Sequence, residues 1–481
     1  MERALAAVSM RLSRFNLYIE GYPEAGSTLV HNTLSGAYSV LDDETMAALR
    51  KLDADGELDE RERGLALDPD LQDPDVAVVV ESIEAEEAEF LAWFERKRRK
   101  TTKLDVLVSV NLACNFDCPY CCQAGILDGT VMKPAMADHT ADWIAERAIA
   151  VGVEGVHIAF CGGEPLLHPE RIKRIATRIQ ERIAPHGLEL TFGLITNAYF
   201  LTEEMISELL PLGLSWAQIT IDGDEGTHKL TRVSKKGEDT FQRIFGHAIA
   251  ASRRIRVSIN GNYTAQTRHG FMPLLEKLSE AELPRDSKIS FTPALEGLSS
   301  IDWNGGGMCT WSDSDMSMHV AMQDEILRRG WKTNTLGAVG PCEFHDHHSF
   351  AIDPDGTIYK CPGFLGKTSW GIGHVERGLD SERYQNMIRA TPQASCDGCA
   401  HRPNCGGGCV AIEWIKKDEA AGVNCEKPFF ERVKEETVVR QFLLATADTV
   451  EEAVAAFPPP RRDQTGHSRA KRSPALRVMV A

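Results

Sequence analysis

Residues 109–125 read SVNLACNFDCPYCCQAG, and four of the chain's 13 cysteines stand in this stretch: Cys114, Cys118, Cys121 and Cys122. Thiolates this close in sequence suit disulfides, a zinc site or an iron–sulfur cluster. The C-x3-C-x2-C of Cys114, Cys118 and Cys121 provides for three irons of a [4Fe–4S] cluster and leaves the fourth iron open. A structural zinc wants four closed ligands, which Cys122 would complete on paper. Neighbouring residues on one loop rarely both point at one metal, so Cys122 is read as a non-ligand.

A second block holds Cys342, Cys361, Cys396, Cys399, Cys405, Cys409 and Cys425. Its C-x2-C step would suit half a zinc ribbon. CEFHDHHSF (342–350) puts His345, His347 and His348 close to the first of these cysteines, and each is read as part of a polar surface turn. DPDGTIYKC (353–361) reads as a tight turn into a strand, with Gly356 free to take positive φ, and aims Cys361. Cys161 reads as a small buried residue.

The chain around these blocks has 481 residues, 43% hydrophobic and 26% charged, as in a soluble globular protein of several domains. No stretch approaches the ~20 apolar residues of a membrane span, so no membrane partner is expected. MERALAAVSMRLSRFNLY lacks a signal-type apolar core. A cytoplasmic location is therefore expected, where the cysteines stay reduced. The net charge of −17 argues against nucleic acid as the main partner.

Between 104 and 330 strand and helix patterns alternate. LDVLVSV, VHIAF, LELTFGLIT, AQITI, RVSINGNY and KISFTPA read as strands. Helices are predicted at 138–150, 169–184, 202–212, 239–253, 271–280 and 314–329. Six strand–helix units in series predict a parallel sheet closing into a full or partial barrel, with its chemistry at the C-terminal strand ends. Before it, RFNLYIEG, STLVHNT and GAYSVLD read as strands. Helices are predicted over 42–52, around 74–83 and over 84–98, giving a small α+β unit. KRRKTTK (97–103) reads as a solvated linker. After 341 Gly, Pro and Cys dominate, and order is expected to depend on metal sites. A C-terminal helical piece follows, then a basic, Pro-containing tail expected to be disordered.

The cysteine loop, with Tyr120 before its last cysteine, resembles the signature of radical S-adenosylmethionine (radical SAM) enzymes. CGGEP (161–165), ITNA (195–198), TIDG (220–223) and Arg232 extend the likeness at the ends of successive strands. The resemblance implies a [4Fe–4S] cluster on Cys114, Cys118 and Cys121 with SAM at the open iron. It implies that Gly162, Gly163 and Glu164 form the turn that binds the methionine amino group. Thr220 and Arg232 would hold the carboxylate, and Asn197 would lie near the ribose. The cluster would split SAM to a 5′-deoxyadenosyl radical that abstracts a substrate hydrogen. The second block resembles a SPASM domain, which implies one or two auxiliary Fe–S clusters. Cys396, Cys399, Cys405 and Cys425 would hold one. Cys342, Cys361 and Cys409 would hold the other, with a histidine, Cys309 or an open iron in fourth place.

The expected fold is thus α/β. A winged-helix-like peptide-recognition unit (1–100) precedes a partial (β/α)6 radical SAM core (101–335), a SPASM domain (336–435), and a C-terminal helix with tail (436–481). The resemblance implies a maturase of ribosomally made peptides, making thioether or carbon–carbon crosslinks. Its partners would be a precursor peptide and an external electron donor of flavodoxin or ferredoxin type. The alternatives are another SPASM modification, namely residue oxidation as in sulfatase maturation or epimerisation, and a non-catalytic zinc or Fe–S scaffold. Pro362 stands where the sulfatase-maturing branch is expected to carry a carboxylate, which lowers that reading. The catalytic acid or base is not legible.

Overall fold

The computed structural model describes residues 10–99, 102–121, 123–264, 266–293, 313–334, 342–388, 396–409, 425 and 427–460. Cys122, Cys309 and the tail lie outside them.

The N-terminal unit pairs β1 (Arg11–Leu12) with β5 (Val79–Val80). Beside this it folds an antiparallel sheet of β2 (Asn16–Glu20), β3 (Ser27–Asn32) and β4 (Tyr38–Asp42) in that order. All three sheet strands stand as the alternation predicts. The helix Asp43–Asp53 is started by Asp42, whose side chain accepts from the Thr45 N–H. The helix expected around 74–83 is absent. Val76, Val78 and Val79 are buried there, and Val79–Val80 forms β5, since β-branched side chains pack better on a pleated surface than in a helix. Helices form instead at Glu60–Ala66, behind a capping box of Asp59 and Glu62, and at Pro69–Gln72.

Arg98 corrects the linker reading of 97–103. It ends the helix Ile83–Arg98 and is buried. Its guanidinium donates to the carbonyls of His345 (3.2 Å) and Ile388, so that charge is part of a packed contact.

Among the described residues the central sheet has ten strands. Its parallel part is β6 (Lys103–Ser109), β7 (Gly155–Cys161), β8 (Glu189–Thr196), β9 (Leu214–Thr220), β10 (Arg256–Tyr263) and β11 (Lys288–Pro293), adjacent in chain order. Helices lie at Pro134–Val151, Pro169–Ile183, Glu203–Leu209, Phe241–Ser252, Phe271–Glu280 and Asp313–Arg328. The six expected units are therefore present, and among the described residues the array is open, with β11 at one edge. On the helix-facing side of the strands Val106, Ile158, Leu194, Ile219 and Ile259 are buried in one core. The helix Pro169–Ile183 shows how the period places this core. Ile172, Ile175, Ile179 and Ile183 form one buried stripe. Its outer face pairs Arg174 with Asp138 and Arg178 with Asp142, each at 2.6 Å.

Beyond β6 the sheet continues with β12 (Ser349–Ile352), β13 (Thr357–Tyr359), β14 (Gly373–His374) and β15 (Gly378–Leu379). Pairing of β12 is parallel to β6, the other three being antiparallel. The cysteine-rich segment therefore grows from the edge of the central sheet. The sequence pattern is too short to show this: four residues, all buried, carry no alternation.

The helix Lys427–Thr446 closes back on the N-terminal sheet, where Val438, Val439 and Phe442 pack on Leu17, Ile19, Leu29 and Tyr38. Its Arg440 forms a buried bidentate pair with Asp324, both contacts 2.8 Å. Arg440→Met strands the Asp324 carboxylate and is expected to cost about 3 kcal/mol in the first urea-unfolding transition; a loss below ~1 kcal/mol would show that water reaches the site.

His31 supplies an acid-sensitive point in the N-terminal unit. Its ring stacks on Tyr38 (4.4 Å) and its Nδ1 lies 3.1 Å from the Ala37 carbonyl. Burial pushes its pKa down from 6.5 to about 4. The unfolded ring takes a proton near pH 6.5 that the folded ring refuses until about pH 4. The stability is complete above the unfolded value and drains as pH falls through this window. Between pH 6.5 and 5 the loss should be about 2 kcal/mol, read by thermal unfolding, and His31→Phe should flatten the profile.

Candidate functional site

The cysteine loop leaves β6 at its C-terminal end, where the next four strands also deliver their ends. Gly162 and Gly163, just after β7, press against it. A Cβ at Gly163 would stand 2.3 Å from the Ala113 carbonyl oxygen and 2.9 Å from the Cys114 nitrogen, and one at Gly162 only 2.4 Å from the Asn111 oxygen. Gly162 also has φ +145°, a region other residues avoid. The N–H groups of Gly163 and Glu164 donate to the carbonyls of Asn111 (3.2 Å) and Ala113 (2.8 Å). Glu164 is wholly buried. Its carboxylate accepts from the Leu166 N–H (2.9 Å), the Thr196 hydroxyl (2.7 Å) and the Asn197 N–H (2.8 Å). Burial raises its pKa against the pull of those bonds. Asn197 donates from Nδ2 to Asn115 Oδ1 at 2.8 Å, returning the link from β8 to the cysteine loop.

Tyr120 is fixed from β9 and β10. Its hydroxyl donates to Asp222 Oδ2 and accepts from Arg232 Nη1 (3.2 Å) and Asn262 Nδ2 (3.3 Å). Asp222 Oδ1 accepts the Asn262 N–H at 2.8 Å. Burial raises the Asp222 pKa, and Arg232 opposes the rise. Arg232 lies over the Phe116 ring at 5.3 Å. Burial works against its charge, but Tyr120, Cys118 and Asp222 around it hold its pKa above the ordinary value. Thr220 ends β9 and pairs in register with Asn260. Asp222 and Asn262 escaped the sequence reading, though Asp222 stands in the TIDG that supplied Thr220.

Burial pushes the Cys114 thiol up and Cys118 up to about 11, and the neighbouring cysteines of the loop add to both. Such a set would shed its protons only to a strong cation. Three further features suit a zwitterionic ligand beside the loop. Among the described residues, the carbonyl oxygens of Gly162 and Gly163 accept no hydrogen bond. Arg232 Nε is buried and unpartnered. The three cysteines would suit an iron–sulfur cluster, and the two carbonyls and the guanidinium would suit an amino-acid-like ligand beside it.

The second block assembles in part. Cys342, Cys361 and Cys409 lie close enough for their thiolates to oppose one another, and burial pushes Cys361 up to about 12. Cys396 and Cys399 are joined by a turn (3.1 Å), and Cys405 ends the short helix Arg402–Cys405. Cys425 is exposed. No three His, Cys, Asp or Glu side chains among the described residues are arranged around a single ion; a cube of four irons spreads its ligands wider than one ion does. His345 departs from the surface-turn reading. It is 2% exposed and lies edge-on to Phe94 at 5.1 Å, because the helix Ile83–Arg98 covers it. His347 and His348 are half-buried.

Residues 108–281 match the radical SAM superfamily, and this stretch of the chain is a radical SAM domain. Members of that superfamily use a [4Fe–4S] cluster and SAM. Among its relatives is the PqqA peptide cyclase of Bradyrhizobium diazoefficiens, 33% identical over 167 residues, covering 34% of this chain and 38% of that protein. The serine-type anaerobic sulfatase-maturating enzyme of Klebsiella aerogenes is 23% identical over 323 residues, 62% of this chain and 77% of that one. The chain thus spans well under half of the first relative. In fold it is similar to anSMEcpe, solved with AdoMet and a Cp18Cys peptide, with a TM-score of 0.56 at 18% identity over 71% of this chain and 99% of that one. Among the described residues no helix is long and apolar enough to cross a membrane.

Asp222→Ala removes the acceptor of both the Tyr120 hydroxyl and the Asn262 N–H and leaves Arg232 without its carboxylate. A loss of about 3 kcal/mol is expected, against about 1 kcal/mol for Tyr120→Phe, both by thermal unfolding. Equal losses would mean that the carboxylate serves Tyr120 alone.

Proposed function

We propose that this chain is a radical SAM peptide maturase. It cleaves SAM reductively and modifies a ribosomally made precursor peptide, most directly by forming a thioether or carbon–carbon crosslink. The observation that carries the reading is the interlock of the Cys114–Cys121 loop with the Gly162–Glu164 turn, beside a buried guanidinium nitrogen without a partner.

Cys114, Cys118 and Cys121 would hold the cluster. When bound, it supplies the electron that splits SAM into methionine and a 5′-deoxyadenosyl radical. The Gly162 and Gly163 carbonyls would accept from the ammonium of SAM. Arg232 Nε and the Thr220 hydroxyl would donate to its carboxylate. Tyr120, anchored by Asp222 and Asn262, would orient the loop, and Asn197 would hold the loop's other side. Cys342, Cys361 and Cys409, and Cys396, Cys399, Cys405 and Cys425, would carry the auxiliary clusters of a SPASM domain. The N-terminal sheet, covered on one face by the helix Lys427–Thr446, leaves the edges of β2 and β4 to take a peptide as an added strand, as winged-helix recognition units do. The likeness to a peptide cyclase and to a sulfatase-maturating enzyme supports a peptide or protein substrate.

Anaerobic reconstitution should give a brown protein with roughly 8–12 irons per chain, counting two or three four-iron clusters. With a reductant it should convert SAM to 5′-deoxyadenosine. Replacing Cys114, Cys118 and Cys121 by Ala should abolish that conversion, while Cys122→Ala should leave it. A colourless protein with stoichiometric zinc and no action on SAM would sink the proposal.

A further inference from the structure

The segment after the helix Glu225–Thr231 runs beside the cysteine loop. Asp117 N–H donates to the Val233 carbonyl (2.8 Å), Lys235 N–H donates to the Asn115 carbonyl (3.0 Å), and Phe116 bridges Ser234. Asn115, Phe116 and Asp117 are the residues between Cys114 and Cys118. The segment is therefore bonded directly to the chain that joins two of the loop's thiols.

Its outer face has an unusual composition. Among the described residues five large apolar side chains stand exposed, and two of them are here: Leu230 at 54% and Val233 at 39%. Lys229, Lys235 and Lys236 flank them, all exposed, and none makes an ion pair among the described residues. Of the nearby carboxylates, Glu238 accepts from the Tyr199 hydroxyl and Asp239 from the Phe241 N–H. Asp117 is the one opposing charge on the loop itself. A protein of net charge −17 thus shows unpaired lysines around exposed leucine and valine where its cysteine loop meets the surface.

We infer that Lys229, Leu230, Val233, Lys235 and Lys236 form the docking surface for an acidic one-electron carrier protein. The inference rests on the reading above, which requires one electron per cleavage from outside the chain. The carrier loses that electron and the cluster gains it, with no bond made or broken at the contact. A small patch suits this task, since electron-transfer encounters bury little surface and must part quickly. The apolar pair gives contact area, and the lysines attract a carrier that the rest of the acidic surface repels. Such attraction is screened by salt.

The test uses the full reconstituted protein and stopped-flow reduction by an acidic flavodoxin in its hydroquinone state. The triple variant Lys229→Glu, Lys235→Glu, Lys236→Glu should lower the second-order rate about tenfold or more at low ionic strength. The deficit should shrink at high salt. Dithionite-driven reduction and 5′-deoxyadenosine yield should stay unchanged. A control variant reverses Lys103, Lys288 and Lys332, which lie around the opposite ends of the strands, and should lose less than about twofold. Equal losses in the two variants, or no loss in the first, would overturn the docking surface. If the unaltered protein forms no 5′-deoxyadenosine even with dithionite, it is the proposed function that has failed.

Discussion

Between the turn that closes β7 and the loop that follows β6 there is no room for a Cβ atom. Gly162 and Gly163 bring backbone onto backbone there, and the N–H groups of that turn bind the carbonyls of the cysteine loop. The rest of the site depends on this contact. The loop buries only a few apolar side chains, Leu112 and Phe116 among them, has no core of its own and would wander if left alone. Here it is shaped against a strand end that the helix-covered sheet already holds. Glu164 then passes the constraint to the end of β8 through two accepted hydrogen bonds, from Thr196 and Asn197, and Asn197 passes it back. The side-chain oxygens of Glu164, Asn197 and Asn115 all accept bonds there, and the low-dielectric setting strengthens them.

The alternation of the parallel strands sets the second constraint. One face of each strand is packed under helices, and the other carries half-buried, mostly polar residues toward the inside of the array. Trp216 of β9 lies over Gly193, where a Cβ would be 2.0 Å from the indole. Its Nε1–H donates to His157 Nε2 at 2.8 Å, and His157 Nδ1 lies 2.8 Å from Asp105 Oδ1. With the indole donating into Nε2, Nδ1 is the ring nitrogen that faces the carboxylate. Three strands are thereby tied across their inner face near their N-terminal ends, while Tyr120, Asp222, Asn262 and Arg232 tie the C-terminal ends.

The six strand–helix units were legible because each long strand and helix carries a strong apolar period, and the six strands form at the predicted places within a few residues. The site residues with a backbone task, Gly162 and Gly163, were legible through their motif. Asp222 was not, because a buried carboxylate looks in sequence like any turn aspartate. Only the fold shows that it receives Tyr120 from a loop 102 residues away. β12 was hidden for the same reason: four buried residues have no period, and their partner strand lies far off in the chain. The valine run at 76–80 misled because apolar spacing alone does not separate a short strand from a helix. His345 misled because its cover, Phe94, comes from the other end of the protein.

Buried arginines explain how the cysteine-rich segment is placed without a large core of its own. Arg402 stands between Cys399 and Cys405, 3% exposed, paired with Glu87 at 2.8 Å and lying over Phe90 at 4.3 Å. Arg98 reaches from the end of the same helix to the His345 and Ile388 carbonyls, so one helix of the N-terminal unit holds two distant parts of the segment. Thr33 adds a hydrogen bond to the Ala400 carbonyl at 2.6 Å. Burying such charges costs more than a hydrophobic contact of equal size unless geometry and pairing are complete, so these ties add little net stability but penalise any other arrangement. Their consequence is directional. The unit proposed to take up a peptide and the segment proposed to carry the auxiliary clusters cannot shift independently, because moving either one strands a buried guanidinium.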